Sequence, residues 1–112
     1  VPDWDDVVGI GSGLPEVEES TWYRTPSLKV RGKGFVRLRT ESDDLLVVMC
    51  SLEEKEALLA SGDPAFSTTA HYDGHGSILV DLERVDPQQL AELVEEAWRR
   101  KAPAAVVRRH DG

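Results

Sequence analysis

Ser27-Leu28-Lys29-Val30-Arg31-Gly32-Lys33-Gly34-Phe35-Val36-Arg37-Leu38-Arg39-Thr40 decides the architecture of this chain. Leu28 and Val30 alternate with Ser27, Lys29 and Arg31, a period of two that belongs to an extended strand. The Arg-Gly-Lys-Gly run at 31–34 reads as a turn, and Phe35 to Thr40 runs back as a second strand. If Leu28, Val30, Val36 and Leu38 face a core, Lys29, Arg31, Arg37 and Arg39 point together to the other side. Such a hairpin needs a covering layer on its apolar side only, which predicts an antiparallel sheet with helices on one face and the other face partly open.

The flanking sequence supplies both layers. Asp3 caps a short first helix around Trp4, Val7, Val8 and Ile10, weakened by Gly9, Gly11 and Gly13. Glu41 to Asp44 reads as a polar turn and Leu45 to Cys50 as a third, largely buried strand. Ser51 with Glu54 forms a capping box for a helix through Ala60, which Gly62 and Asp63-Pro64 end. Phe66 to Tyr72 and Ser77 to Glu83 fit a second hairpin about Asp73-Gly74-His75-Gly76. Asp86 caps a last helix with Pro87 at its first position, where Leu90, Leu93, Val94, Ala97 and Trp98 share one side. The predicted order is helix, three strands, helix, two strands, helix. That order describes an α+β two-layer sandwich with about five strands, in a single domain over 1–112 whose residues 104–112 form a mobile tail.

Charge is segregated along the chain. Ser20 to Thr40 sums to +6 and the other ninety-one residues to −14, giving the net of −8. A cationic island of that kind suggests an anionic partner. The single Cys50 cannot form an internal disulfide, and nothing resembles a signal peptide, so a reducing cytoplasm is expected. No apolar run approaches the ~20 residues a membrane-spanning helix needs. Neighbouring carboxylates such as Glu18-Glu19 and Glu53-Glu54 point different ways on regular elements, and Cys50 ends an apolar strand. Gly9-Ile10-Gly11-Ser12-Gly13 lacks the strand that a phosphate-binding glycine loop follows. No catalytic set, metal site or cofactor is therefore expected; His71 and His75 flank a turn and match no standard zinc spacing. Trp22 and Tyr23 beside Arg24 are candidates for base stacking or for the core.

Leu14-Pro15-Glu16-Val17-Glu18-Glu19-Ser20, Thr25-Pro26, Lys29-Val30-Arg31-Gly32-Lys33-Gly34-Phe35, His71-Tyr72, Gly74-His75 and Ala97-Trp98, taken in order, resemble the MmcQ/YjbR family of small bacterial proteins. The resemblance implies the same α+β sandwich and a proposed DNA-binding role through two hairpin wings. On this chain the first wing would span Leu28 to Thr40 with its tip at Gly32-Lys33-Gly34. The second would span Phe66 to Leu82 with its tip at Gly74-His75-Gly76. The expected DNA contacts are then Lys29, Arg31, Lys33, Arg37, Arg39 and His75. The competing expectation is a protein-interaction or homodimerisation module, with Leu45, Val47, Met49 and Leu79 forming an apolar strip on the open sheet face.

Overall fold

The computed structural model describes residues 2–40, 45–70, 72 and 74–112. Its elements run α1 (Trp4–Ser12), β1 (Val17–Trp22), β2 (Thr25–Val30), β3 (Lys33–Leu38), β4 (Leu45–Met49), α2 (Leu52–Ala60), β5 (Phe66–Ser67), β6 (Ser77–Asp81), α3 (Pro87–Lys101) and α4 (Ala104–Asp111). All strand pairs are antiparallel, in the spatial order β1-β2-β3-β4-β6-β5. The α+β sandwich is as the sequence leads one to expect, with six strands in place of about five.

Helix starts follow local chemistry. Asp3 accepts from the Asp6 N–H at 3.0 Å while the Asp6 carboxylate accepts from the Asp3 N–H at 2.9 Å, a reciprocal cap that satisfies two otherwise orphaned donors. Ser51 caps α2 and Asp86 caps α3, each accepting from the N–H three residues on. Leu90, Leu93, Val94, Ala97 and Trp98 form the buried stripe of α3. They pack on Leu28, Val30, Val36, Leu46, Val48, Ile78 and Val80 from the sheet, joined by Val7 of α1 and Val106 of α4. Burying each large side chain of this set stabilises the fold by about 1.5–3 kcal/mol. Trp98, fully buried, also donates its indole N–H to the Pro15 carbonyl at 3.0 Å, which ties α3 to the segment before β1.

The extra strand is β1, whose Val-Glu-Glu-Ser-Thr-Trp sequence shows no apolar alternation. A tight turn at Tyr23-Arg24 forces it beside β2: both residues have positive φ, 54° and 64°, as a two-residue hairpin turn of the twist-matched kind requires. The turn between β2 and β3 is likewise shorter than expected. It comprises Arg31 and Gly32, at φ 49° and 81°, and Lys33 and Gly34 already belong to β3. One irregularity follows: Leu28 pairs with Val36 and Lys29 with Gly34, so Phe35 bulges from the ladder. The bulge sends both Phe35 and Val36 into the core.

Two further expectations are revised. Among the described residues the strand expected over Phe66 to Tyr72 is confined to Phe66 and Ser67, and the polar turn expected at 41–44 lies outside the described residues. The tail expected to be mobile over 104–112 instead forms α4, whose Val106 is buried and whose Asp111 pairs with Arg99 at 2.6 Å. The sequence offers this segment little to bury because its two anchoring valines, Val106 and Val107, are adjacent and carry no helical period of their own.

Glu16 closes the end of the sandwich. Its carboxylate takes Arg31 Nε at 2.7 Å and Nη2 at 3.1 Å, and Arg109 of α4 at 2.8 Å. Hydrogen bonding from Arg31, with the attraction of Arg31 and Arg109, holds the carboxyl below its ordinary range against the opposing effect of desolvation. A depressed carboxyl contributes stability above its unfolded value, and that contribution vanishes as pH falls through the folded value. Glu16→Gln should therefore be less stable than the parent at neutral pH, with the gap closing as pH falls below the ordinary glutamate range and through the folded carboxyl's lowered value, as followed by urea midpoints across pH. A gap independent of pH would show that the clasp contributes nothing through charge.

Candidate functional site on the open sheet face

One row of residues crosses the sheet through the registers Ser20–Ser27–Arg37–Val47–Leu79–Ser67. The core row beside it includes Leu28, Val36, Val48 and Ile78, so this row occupies the face turned away from the core. Arg37 stands in its middle and is only 7% exposed. Its Nη2 donates to the Tyr72 hydroxyl at 2.9 Å, and its Nη1 to the carbonyls of Leu38 at 3.2 Å and Arg39 at 3.4 Å. The guanidinium carbon lies 5.0 Å from the Tyr23 ring centre and 5.9 Å from that of Trp22. No carboxylate pairs with Arg37 among the described residues. Counted over the described residues, three of the five guanidinium N–H groups are engaged, which leaves two for an incoming acceptor.

Over this row lies a cavity of about 420 Å³, lined by Trp22, Tyr23, Arg37, Val47, Met49, Tyr72, His75, Gly76 and Ser77. Its size is within the range of about 300–1,000 Å³ typical of small-ligand sites. Trp22 and Tyr23 stack with centres 5.7 Å apart and an interplanar angle of 23°. Tyr23 is 74% exposed, so the aromatic wall opens to solvent. Gly34 permits this arrangement, since a Cβ there would sit 2.5 Å from Cε3 of Trp22. The bulge and the missing side chain together let β3 curl beneath the indole. Holding Tyr23 and Arg24 at positive φ costs about 1–2 kcal/mol per residue, strain that concentrates beside this cavity.

The far wall is fixed by a second buried cation. Lys55 of α2 is 4% exposed and donates Nζ to the Tyr72 carbonyl at 2.5 Å and the His75 carbonyl at 3.0 Å. Arg37 holds the Tyr72 hydroxyl while Lys55 holds its backbone, which fixes the loop against the sheet. Ser27, beside Arg37 in the row, is 1% exposed and its hydroxyl oxygen has no hydrogen-bond partner among the described residues. Cys50 is buried nearby in sequence, and burial pushes its thiol up to about 11, well outside the range of a reactive thiolate.

The six expected DNA contacts separate in this geometry. Arg37 and His75 line the same cavity, Arg37 buried and His75 exposed at its rim. Arg31 sits in a turn and is engaged by Glu16. Lys33 is exposed at the start of β3, Lys29 is half-buried opposite Glu18, and Arg39 is half-buried just beyond β3. The four alternating cations thus do not form one open face. Tyr72 and Lys55 were not among the expected site residues, and Trp22 and Tyr23 were weighed for base stacking or for the core without being placed among the contacts. The Trp22-Tyr23-Arg24 run was the available signal for these two, whereas a lysine inside an acidic helix gives no sign that it is buried. The expected apolar strip is present on this face, but Val47 is 4% and Leu79 1% exposed, so its centre is covered. His71, weighed with His75 as a metal ligand, lies outside the described residues.

Gly34→Ala should displace the Trp22 indole and lower stability by about 1–3 kcal/mol, as overpacking does. A shift in tryptophan emission with the loss of stability is the expected result, and unchanged emission would contradict the contact. Lys55→Met should leave two carbonyls of the 72–75 loop without their donor and cost about 1–3 kcal/mol. Hydrogen exchange should accelerate at the Ser77 and His75 amides, whereas unaltered protection there would show that Lys55 does not fix the loop.

Comparison with known proteins gives one consistent answer. The YjbR family model matches residues 12–100. The Mycobacterium tuberculosis protein named "Uncharacterized protein Rv2570" is 34% identical, over 93% of this chain and 92% of its own length. "Uncharacterized protein Mb2600" of Mycobacterium bovis shows the same identity and coverage. The crystal structure of Deinococcus radiodurans protein DR2400, a DUF419 domain, superposes with a TM-score of 0.74 over 86% of this chain and 75% of that one, at 19% identity. That likeness is one of fold, and with the family match over most of the chain it leads to a single assignment: the chain belongs to the YjbR family.

Proposed function

We propose that this protein is a non-catalytic, cytoplasmic binding protein that engages single-stranded nucleic acid through the open face of its sheet. The observation that carries the reading is Arg37, a buried guanidinium with two N–H groups unpartnered among the described residues, placed beneath a half-buried Trp22 that stacks on an exposed Tyr23. Stacking rings take unpaired bases of any identity, and the guanidinium takes a phosphate oxygen. Lys29, Lys33, Arg39 and His75 are secondary contacts in this reading, and Arg31 is a structural cation held by Glu16.

The emphasis moves from duplex DNA held between two wings to a strand on one face. Duplex binding needs several outward cations along a phosphate track, and here Arg31 is paired and Arg37 is recessed. Homodimerisation through the same face called for an exposed apolar strip, and the burial of Val47 and Leu79 removes that support.

Fluorescence anisotropy of labelled single-stranded and duplex DNA, at low and near-physiological salt, tests the reading. Single strands should bind more tightly than duplex, with a log–log salt slope of roughly −0.7 to −1.4, corresponding to one or two neutralised phosphates. Arg37→Gln should abolish the binding. Duplex binding as tight as single-strand binding, with a slope steeper than about −3, would contradict the pocket and favour the wings.

A further inference from the structure

The position of Arg37 constrains what kind of phosphate can reach it. An internal phosphodiester has a sugar on both sides, so both continuations of the strand must leave the site. Arg37 is 7% exposed at the floor of a cavity rather than on a ridge. A terminal phosphate monoester has one substituent and three free oxygens, and it can enter such a cavity end-on. The two N–H groups of this planar guanidinium that have no partner among the described residues match two of those oxygens. The single substituent then leads outward past the rim, where the exposed Tyr23 ring stands. With a net charge of −8, the chain repels a long polyanion more than it repels one phosphate.

Resting on the open-face reading above, we propose that the cavity recognises a terminal nucleotide, with its phosphate monoester on Arg37 and its base on the Tyr23 ring. This chemistry has two sources, a free mononucleotide or the phosphorylated end of a strand. Tyr72 and Lys55 act as positioning residues, since one orients the guanidinium and the other holds the loop that carries Tyr72 and His75.

The test uses a short oligo-dT labelled at its 3′ end, carrying either a 5′-phosphate or a 5′-hydroxyl. Thymidine 5′-monophosphate, thymidine and inorganic phosphate serve as competitors. The phosphorylated strand should bind about tenfold more tightly or better, and thymidine 5′-monophosphate should displace it at least about tenfold better than thymidine or phosphate alone. Arg37→Lys, which keeps the charge and loses the fork, should bring the phosphorylated strand down to the affinity of the hydroxyl strand. Should that variant fail to fold, Tyr23→Ala removes a largely exposed ring that also stacks on Trp22 and lies over Arg37, and it should weaken the monophosphate far more than inorganic phosphate. Binding of the monophosphate with neither strand retained would identify the free nucleotide as the source. Equal affinity for both strands, with no competition by the monophosphate, would overturn the terminal-phosphate inference and leave open-face strand binding in place. Absence of binding by either strand and by the monophosphate would overturn both.

Discussion

A guanidinium buried with no carboxylate partner among the described residues is the constraint around which the open face is built. Removing such a charge from water is expensive unless its donors are used and its surroundings are polarisable. Arg37 meets that condition with two backbone carbonyls, the Tyr72 hydroxyl and two aromatic rings. Each of those partners needs its own support. The Tyr72 backbone is held by Lys55, Trp22 overlies the only residue type that would not collide with it, Gly34, and Tyr23 is turned over the row by a hairpin bend of positive φ. The two faces of the sheet therefore differ in kind. One is an apolar seam under α1, α3 and α4, and the other is a polar row organised about one cation.

Part of the segregated positive charge is paired off within the fold, and strand order explains why. The acidic segment before the cationic island supplies β1, which places Glu18 opposite Lys29 and brings Glu16 onto Arg31. Neighbouring blocks of opposite sign in the chain thus become neighbouring strands in the sheet. The second expected wing is likewise folded onto the sheet by Lys55, so that its glycine-rich tip lines a cavity.

Most of the fold was legible because its elements announce themselves locally. The period of two at Leu28 and Val30, the caps at Asp3, Ser51 and Asp86, and the helical stripe from Leu90 to Trp98 all agree with the structure. Strand β1 was not legible, since an edge strand with one side in solvent needs no apolar alternation and this one spends its positions on glutamate. Nor was the bulge at Phe35, which shifts the register by one residue and leaves Arg37 on the open face while Phe35 and Val36 both turn inward. The candidate site was half legible. Arg37 and His75 were among the expected contacts, but alternation gives direction without depth, and it could not distinguish a cation in solvent from one under a tyrosine.

The central claim is that Arg37 is an available anion donor within the cavity, and nuclear magnetic resonance reads this directly. Titrating thymidine 5′-monophosphate into uniformly ¹⁵N-labelled protein should shift the Arg37 Nε–H and Trp22 indole N–H resonances together and saturably. The Arg31 Nε–H, held by Glu16, and the Trp98 indole N–H, held by Pro15, should stay in place. Shifts confined to Arg31 and Lys33, with Arg37 unmoved, would show that the anion meets the hairpin tip and that the buried guanidinium is structural only.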